Sequence, residues 1–249
     1  MANKRWKLTI EYDGAPYSGW QHQDHAPSVQ EEIEKAVFKF SGQKTRLHVA
    51  GRTDAGVHAM GQVAHFDLDF REMTPFDLAK AINAHLKPQP IAVLSAEVVD
   101  ENFHARFSAK NKLYRYRLIN RSAPLTIDQG RAWWFKKPLD ETAMHGAAQL
   151  LLGHHDFTTF RDSECQAKSP MKSLDRFDIV RSGEEIRFEV EGRSFLHHQV
   201  RNMVGTLILI GEGKWTKADL KAALAAKDRT KGGVTAPAGG LYLVRVDYT

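Results

Sequence analysis

The chain has a single cysteine, Cys165, among its 249 residues. One thiol cannot close an intrachain disulfide or build a Cys-rich zinc site, which excludes disulfide scaffolds and zinc-finger modules. Proline is sparse at nine residues, and 42% hydrophobic with 26% charged side chains excludes collagen-like and disordered classes. Long apolar runs are also missing. The most apolar stretch, residues 202–210, lies between Arg201 and Glu212 and falls well short of the roughly 20 residues a membrane span needs. Residues 1–12 contain no signal-peptide hydrophobic segment. No P-loop or dinucleotide fingerprint occurs. Together these absences predict a soluble, cytoplasmic protein with no membrane partner, held by an ordinary hydrophobic core.

What is present is an uneven distribution of charge. Residues 1–105 carry 11 basic and 14 acidic side chains, whereas residues 106–249 carry 24 and 16. Within residues 106–137 there are nine Lys/Arg and one acid, Asp128. Clustering of this kind is the footprint of a polyanion-binding face or, equally, of a solvated basic surface.

Hydrophobic periodicity divides the chain into two similar halves, residues 1–105 and 106–249. In the first, Trp6, Leu8, Ile10 and Tyr12 alternate with polar residues as in a half-buried strand. Ser28 with Glu31 predicts a capping box before the helical face of Val29, Ile33, Ala36, Val37 and Phe40. Strands are predicted at 46–50 and 62–69. Thr74-Pro75 opens a second helix through Leu78, Ile82 and Leu86, and a strand at 91–99 closes the half. The second half repeats the order, with strands at 113–119, 173–181, 185–191 and 241–248 and helices at 139–152 and 195–210. The predicted class is α+β: two ferredoxin-like β-α-β-β-α-β halves, their antiparallel sheets side by side around a central cleft.

Between two predicted strands lies Gly51-Arg52-Thr53-Asp54-Ala55-Gly56-Val57-His58. Its glycines permit close backbone approach, and a carboxylate stands two residues from a guanidinium. On its own, the segment also fits an ordinary turn with an internal ion pair.

This segment, followed by Gly61-Gln62-Val63, resembles the signature of the tRNA pseudouridine synthase A family. Glu11-Tyr12-Asp13-Gly14, Gly19-Trp20-Gln21, Phe103-His104-Ala105-Arg106-Phe107, Tyr114-Arg115-Tyr116, Val200-Arg201-Asn202 and Gly240-Leu241-Tyr242-Leu243-Val244 match family segments in the same order. The resemblance implies an isomerase that detaches uracil from ribose C1′ at N1 and rejoins it through C5, with no cofactor. Its implied target is uridine 38, 39 or 40 of the tRNA anticodon arm, flipped out of the RNA and bound by a homodimer. It implies Asp54 as the catalytic carboxylate, Arg201 as its cationic partner, and Tyr114 as the ring stacked on uracil, with a possible part in proton transfer. Arg52 corresponds to the arginine contacting RNA at the vacated position. Phe103, His104, Ala105, Arg106 and Phe107, with Glu164, Cys165, Gln166, Ala167 and Lys168, correspond to tRNA-contacting segments. Glu164 places an acid beside the RNA path, and Lys172 stands where an arginine is expected.

Other readings are the same chemistry at other tRNA positions, an inactive tRNA-binding module, and metal-dependent hydrolysis using His58, His65 and Asp67 with His154-His155 and His197-His198. The last lacks any HExxH-type register. No metal is therefore expected.

Overall fold

The computed structural model describes residues 4–249; Met1, Ala2 and Asn3, which begin the stretch read above as lacking a signal segment, lie outside the described residues. Contacts divide the chain into two compact units. One contains the described residues up to Lys110 together with Leu243–Thr249; the other is Asn111–Tyr242.

The first unit runs β1 (Lys4–Tyr12), α1 (Val29–Ser41), β2 (His48–Val49), β3 (His58–Leu68), α2 (Pro75–Leu86) and β4 (Ile91–Val99). β1 is antiparallel to β3 on one side and β4 on the other, and β2 pairs its two residues with His65 and Ala64 of β3. Trp6, Leu8, Ile10 and Tyr12 are buried, as their alternation predicts.

Ser28 caps α1 by accepting the Glu31 N–H, a contact worth about 1 kcal/mol. The Glu31 carboxylate does not complete the expected box but turns to Lys35 at 2.7 Å. Val29, Ile33, Ala36 and Val37 are buried, while Phe40 is only half-buried and sits edge-on to Phe70. Thr74 caps α2, Pro75 occupies its first turn, and Leu78, Ile82 and Leu86 are buried.

β3 begins at His58, four residues earlier than its alternation suggests. The period-2 signal is lost because both faces are covered. Across β3 from Ala64 and Phe66, Val63 joins Ala50 and Ala105 in a second small core, closed by Phe103, Val246 and Tyr248.

The second unit runs β5 (Asn111–Asn120), β6 (Trp133–Phe135), α3 (Glu141–Ala148), β7 (Gly153–Asp156), β8 (Met171–Leu174), β9 (Arg176–Ser182), β10 (Glu185–Gly192), α4 (Gln199–Gly211), α5 (Lys217–Ala226) and the first two residues of β11 (Leu241–Asp247). β10 lies antiparallel between β5 and β9, and β6 runs parallel beside β5.

Three elements of this unit depart from the sequence expectation. The helix predicted at 139–152 is α3, capped by Asp140, followed by a separate single 3-10 turn, Gln149–Leu151. The strand predicted at 173–181 is broken at Asp175: β9 stays with β10, while β8 leaves to pair with β7 in a two-stranded sheet. The helix predicted from 195 begins at Gln199, after His198 takes a left-handed φ of 60°. α4 is buried on almost every side. At Gly205 the Val234 carbonyl comes so near that a Cβ would lie 1.8 Å from its oxygen.

Both units are therefore α+β with sheets dominated by antiparallel pairs. No helix among the described residues is long and apolar enough to cross a membrane.

Candidate active site

The carboxylate-bearing loop joins β2 to β3 in the first unit and is held by the chain around Tyr12 and Trp20. Trp20 N–H donates to the Thr53 carbonyl at 3.1 Å, and Gly56 N–H donates to the Tyr17 carbonyl at 3.3 Å. Val57 N–H returns to the Asp54 carbonyl at 3.1 Å, closing a tight turn in which Gly56 has a φ of 76°. The neighbouring backbone presses close. A Cβ on Gly14 would stand 2.0 Å from the Val57 oxygen, and one on Gly19 would stand 2.6 Å from the Thr53 oxygen.

Side chains fasten the same loop from beneath. The Tyr12 hydroxyl lies 2.8 Å from Thr53 Oγ1, and Gln62 Nε2 donates to the Gly51 carbonyl at 2.8 Å and to the Tyr12 oxygen at 3.4 Å. Burial pushes the Tyr12 phenol up to about 12 against its hydrogen bonds with Thr53 and Gln62, and the Asp54 charge adds to the rise. On this frame Arg52 is exposed and Asp54 is half-buried.

The segment 103–107 is also in the first unit. Arg5 grips it by donating to the carbonyls of Glu101 and Phe103 while forking onto Asp67, with both N···O distances 2.8 Å. Ala105 N–H donates to His65 Nδ1 at 3.1 Å, and the Tyr248 hydroxyl donates to the Ala105 carbonyl at 2.8 Å. His104 Nδ1 accepts the Arg106 N–H at 3.1 Å, and its ring lies 4.3 Å from that of Phe107. Ala105 is thus an anchor, while Arg106 is exposed and Phe107 is 70% exposed.

In the second unit, Tyr114 lies on β5 opposite Val190, with its ring edge-on to Phe195 at 5.1 Å and only 8% exposed. Tyr116 belongs to the core. Its hydroxyl donates to the Pro237 carbonyl at 2.8 Å, and Gly240 leaves room for its ring. Arg201 stands in the first turn of α4, half-buried, with Nε donating to the Ala236 carbonyl at 2.8 Å.

The segment 164–168 curls around one guanidinium. Arg161 donates to the carbonyls of Cys165 at 2.6 Å and Ala167 at 2.8 Å. Burial alone would raise the Cys165 thiol, but the N–H groups of Ala167 and His197 and the Arg161 charge outweigh it, leaving the pKa lowered. Glu164, Gln166 and Lys168 are exposed and Ala167 is half-buried. Lys172 is spent locally, donating to the carbonyls of Ser169 at 3.1 Å and Met171 at 3.0 Å.

The basic strip is less cationic than its sequence suggests. Arg115 meets Glu189 at 2.6 Å, Arg117 meets Glu185 at 2.9 Å and Asp128 at 3.1 Å, and Arg121 meets Glu184 at 3.0 Å. Most of these acids arrive across the sheet from β10 or its turn, which a count along the chain cannot register.

Of the residues read as metal ligands, His58, His65, Asp67, His154 and His155 have structural partners, and His198 Nδ1 lies 2.6 Å from an Asp162 carboxylate oxygen. His58 Nδ1 accepts the Gly14 N–H, His65 Nδ1 takes the Ala105 N–H, and Asp67 holds Arg5. His154 and His155 bond to Ser173 and to the Leu152 carbonyl. Sequence reasoning assigned no role to Arg5, Tyr12, Gln62, Arg161 or Tyr248; only Tyr12 and Gln62 fall within motifs, and nothing local marks the other three.

A family model described as tRNA pseudouridine synthase matches residues 8–108 and 147–249, and the chain belongs to that family. The matched residues include Arg52, Asp54, both candidate RNA segments and Arg201, whereas Tyr114 falls between the two matched stretches. Curated relatives align more fully. The chain is 61% identical to tRNA pseudouridine synthase A of Paramagnetospirillum magneticum, over 98% of this chain and 95% of the relative. It is 58% identical to that of Bradyrhizobium diazoefficiens (98% and 99%) and 55% identical to that of Rhodospirillum rubrum (98% and 87%).

Proposed function

We propose that the protein converts uridine to pseudouridine at positions 38, 39 and 40 of the tRNA anticodon stem-loop, as a homodimer and without a cofactor. The observation that carries this reading is the clamped loop bearing Asp54 in a chain so similar to tRNA pseudouridine synthase A. The reaction is an isomerisation: the C1′–N1 bond breaks, the uracil turns, C1′–C5 forms, C5 gives up its proton and N1 gains one. Atoms and electrons balance without a redox partner.

A carboxylate suits both routes open to it, attack on C1′ or deprotonation of the sugar during cleavage. Asp54 takes this role. By the family resemblance, Arg201 is assigned as its cationic partner, and Tyr114 is assigned to stack on the uracil and offer a hydroxyl for proton transfer. Flipping the uridine out of a stacked stem costs a few kcal/mol. Arg52, exposed on the loop, is assigned to the vacated position. Arg106 and Phe107, with Gln166 and Lys168, offer charge and an open ring to phosphate and sugar, contacts that set position more than sequence.

Mapping pseudouridine in tRNA incubated with the protein tests activity and position together. Asp54→Asn is expected to abolish product while tRNA binding stays within about tenfold, because the carboxylate serves bond exchange and not phosphate contact. Substantial turnover by that variant removes Asp54 from its role; modification at other nucleotides moves the target and leaves the chemistry in place.

A further inference from the structure

The loop carrying Asp54 is tied to a buried chain of three hydrogen-bonded polar side chains. Gln62 Oε1 accepts the Val63 N–H at 3.2 Å, which orients the amide and leaves Nε2 as the donating end. One Nε2 hydrogen goes to the Gly51 carbonyl and the other to the Tyr12 oxygen. The Tyr12 hydroxyl in turn shares a 2.8 Å hydrogen bond with Thr53 Oγ1.

All three side chains are withdrawn from solvent: Gln62 is 0%, Tyr12 3% and Thr53 7% exposed. Burying such groups is costly unless they are hydrogen-bonded, which holds the three side chains to one another and to the loop. Its two ends seize the loop at Gly51 and Thr53, on either side of Arg52 and immediately before Asp54. The Thr53 carbonyl is held separately by Trp20 N–H at 3.1 Å. The loop is thereby specified by backbone and side chains at once.

We propose that Gln62, Tyr12 and Thr53 are positioning residues for the isomerisation: a buried hydrogen-bond relay that fixes the aim of the Asp54 carboxylate. The proposal rests on the pseudouridine synthase reading above. A tenth or two of a nanometre of misplacement at a reacting group is enough to cost large factors in rate, which gives the relay something to protect.

The test compares Tyr12→Phe, Thr53→Val, Thr53→Ser and the Tyr12→Phe/Thr53→Val double variant. Single-turnover pseudouridine formation at saturating enzyme is measured beside the tRNA dissociation constant and the thermal midpoint. Breaking one buried hydrogen bond of the relay is expected to slow single turnover roughly tenfold or more, with tRNA affinity unchanged within about twofold. Thr53→Ser should recover most of the rate lost in Thr53→Val, and the double variant should be little slower than the slower single one, because both cut the same relay.

Folded Tyr12→Phe and Thr53→Val proteins turning over at the wild-type rate would overturn the proposal. So would rate losses that merely follow lost tRNA binding, or a serine variant as slow as the valine one. Absence of pseudouridine from the wild-type reaction is a separate result, which defeats the functional reading itself.

Discussion

Two loops with different tasks are built in different ways. The loop of residues 51–57 is held by backbone bonds to Tyr17 and Trp20, by side-chain bonds from Tyr12 and Gln62, and by glycines that admit no Cβ. The loop of residues 161–168, which holds the segment 164–168 proposed to contact RNA, closes chiefly around the Arg161 guanidinium, and Glu164, Gln166 and Lys168 are exposed. The contrast is what the roles proposed for the two loops require. A reacting carboxylate has to be aimed before substrate arrives, whereas phosphate contacts tolerate adjustment and are worth little individually.

The most disruptive way to break the comparison is Gly14→Ala. The added methyl meets the Val57 carbonyl, a backbone atom that cannot swing aside, so a loss of about 2–3 kcal/mol is expected in urea unfolding, with a larger fall in activity than in tRNA affinity. A stability change below about 0.5 kcal/mol would mean that the catalytic loop yields as readily as the other.

Arg161→Ala should have a smaller and differently placed effect. It frees two carbonyls and removes the charge that stabilises the Cys165 thiolate, so tRNA affinity is expected to fall several-fold while the single-turnover rate at saturation is kept. The pH midpoint of Cys165 alkylation should move upward, since a positive neighbour lowers a thiol pKa and its loss raises it. An unchanged midpoint would show that the two N–H groups alone hold the thiolate.

The smallest effect concerns the anchor of residues 103–107. Burial, then the neighbouring His104 and His48, push His65 down to about 4, below its ordinary 6.5. Between those values the unfolded chain binds the proton and the folded protein does not, so this contribution to stability is present above about pH 6.5 and is lost as pH falls toward 4. His65→Gln should flatten the stability profile of the protein across that window. An equally steep profile would assign the acid sensitivity to other groups.

Much of the fold was legible along the chain because local signals agreed with their tertiary setting. β1 alternates because only one of its faces carries this apolar row, and Thr74-Pro75 opens α2 because caps act within one turn. The failures have equally specific causes. β3 is covered on both faces and so does not alternate along its length, and the break at Asp175 leaves no mark in a run of strand-forming residues. The motifs selected residues 51–58 and 103–107, but within the latter they did not separate the buried anchor Ala105 from exposed Phe107.

By itself, then, the sequence determined the α+β order of elements, the loop bearing Asp54 and the family to which the chain belongs, because these depend on residue type and spacing. Tertiary structure decided what holds the loop, which arginines of the basic strip are neutralised, and that Leu243–Thr249 packs with the first unit. Tyr12 meets Thr53 across 41 positions and Arg115 meets Glu189 across 74, separations over which no periodicity carries information and only folding brings the partners together.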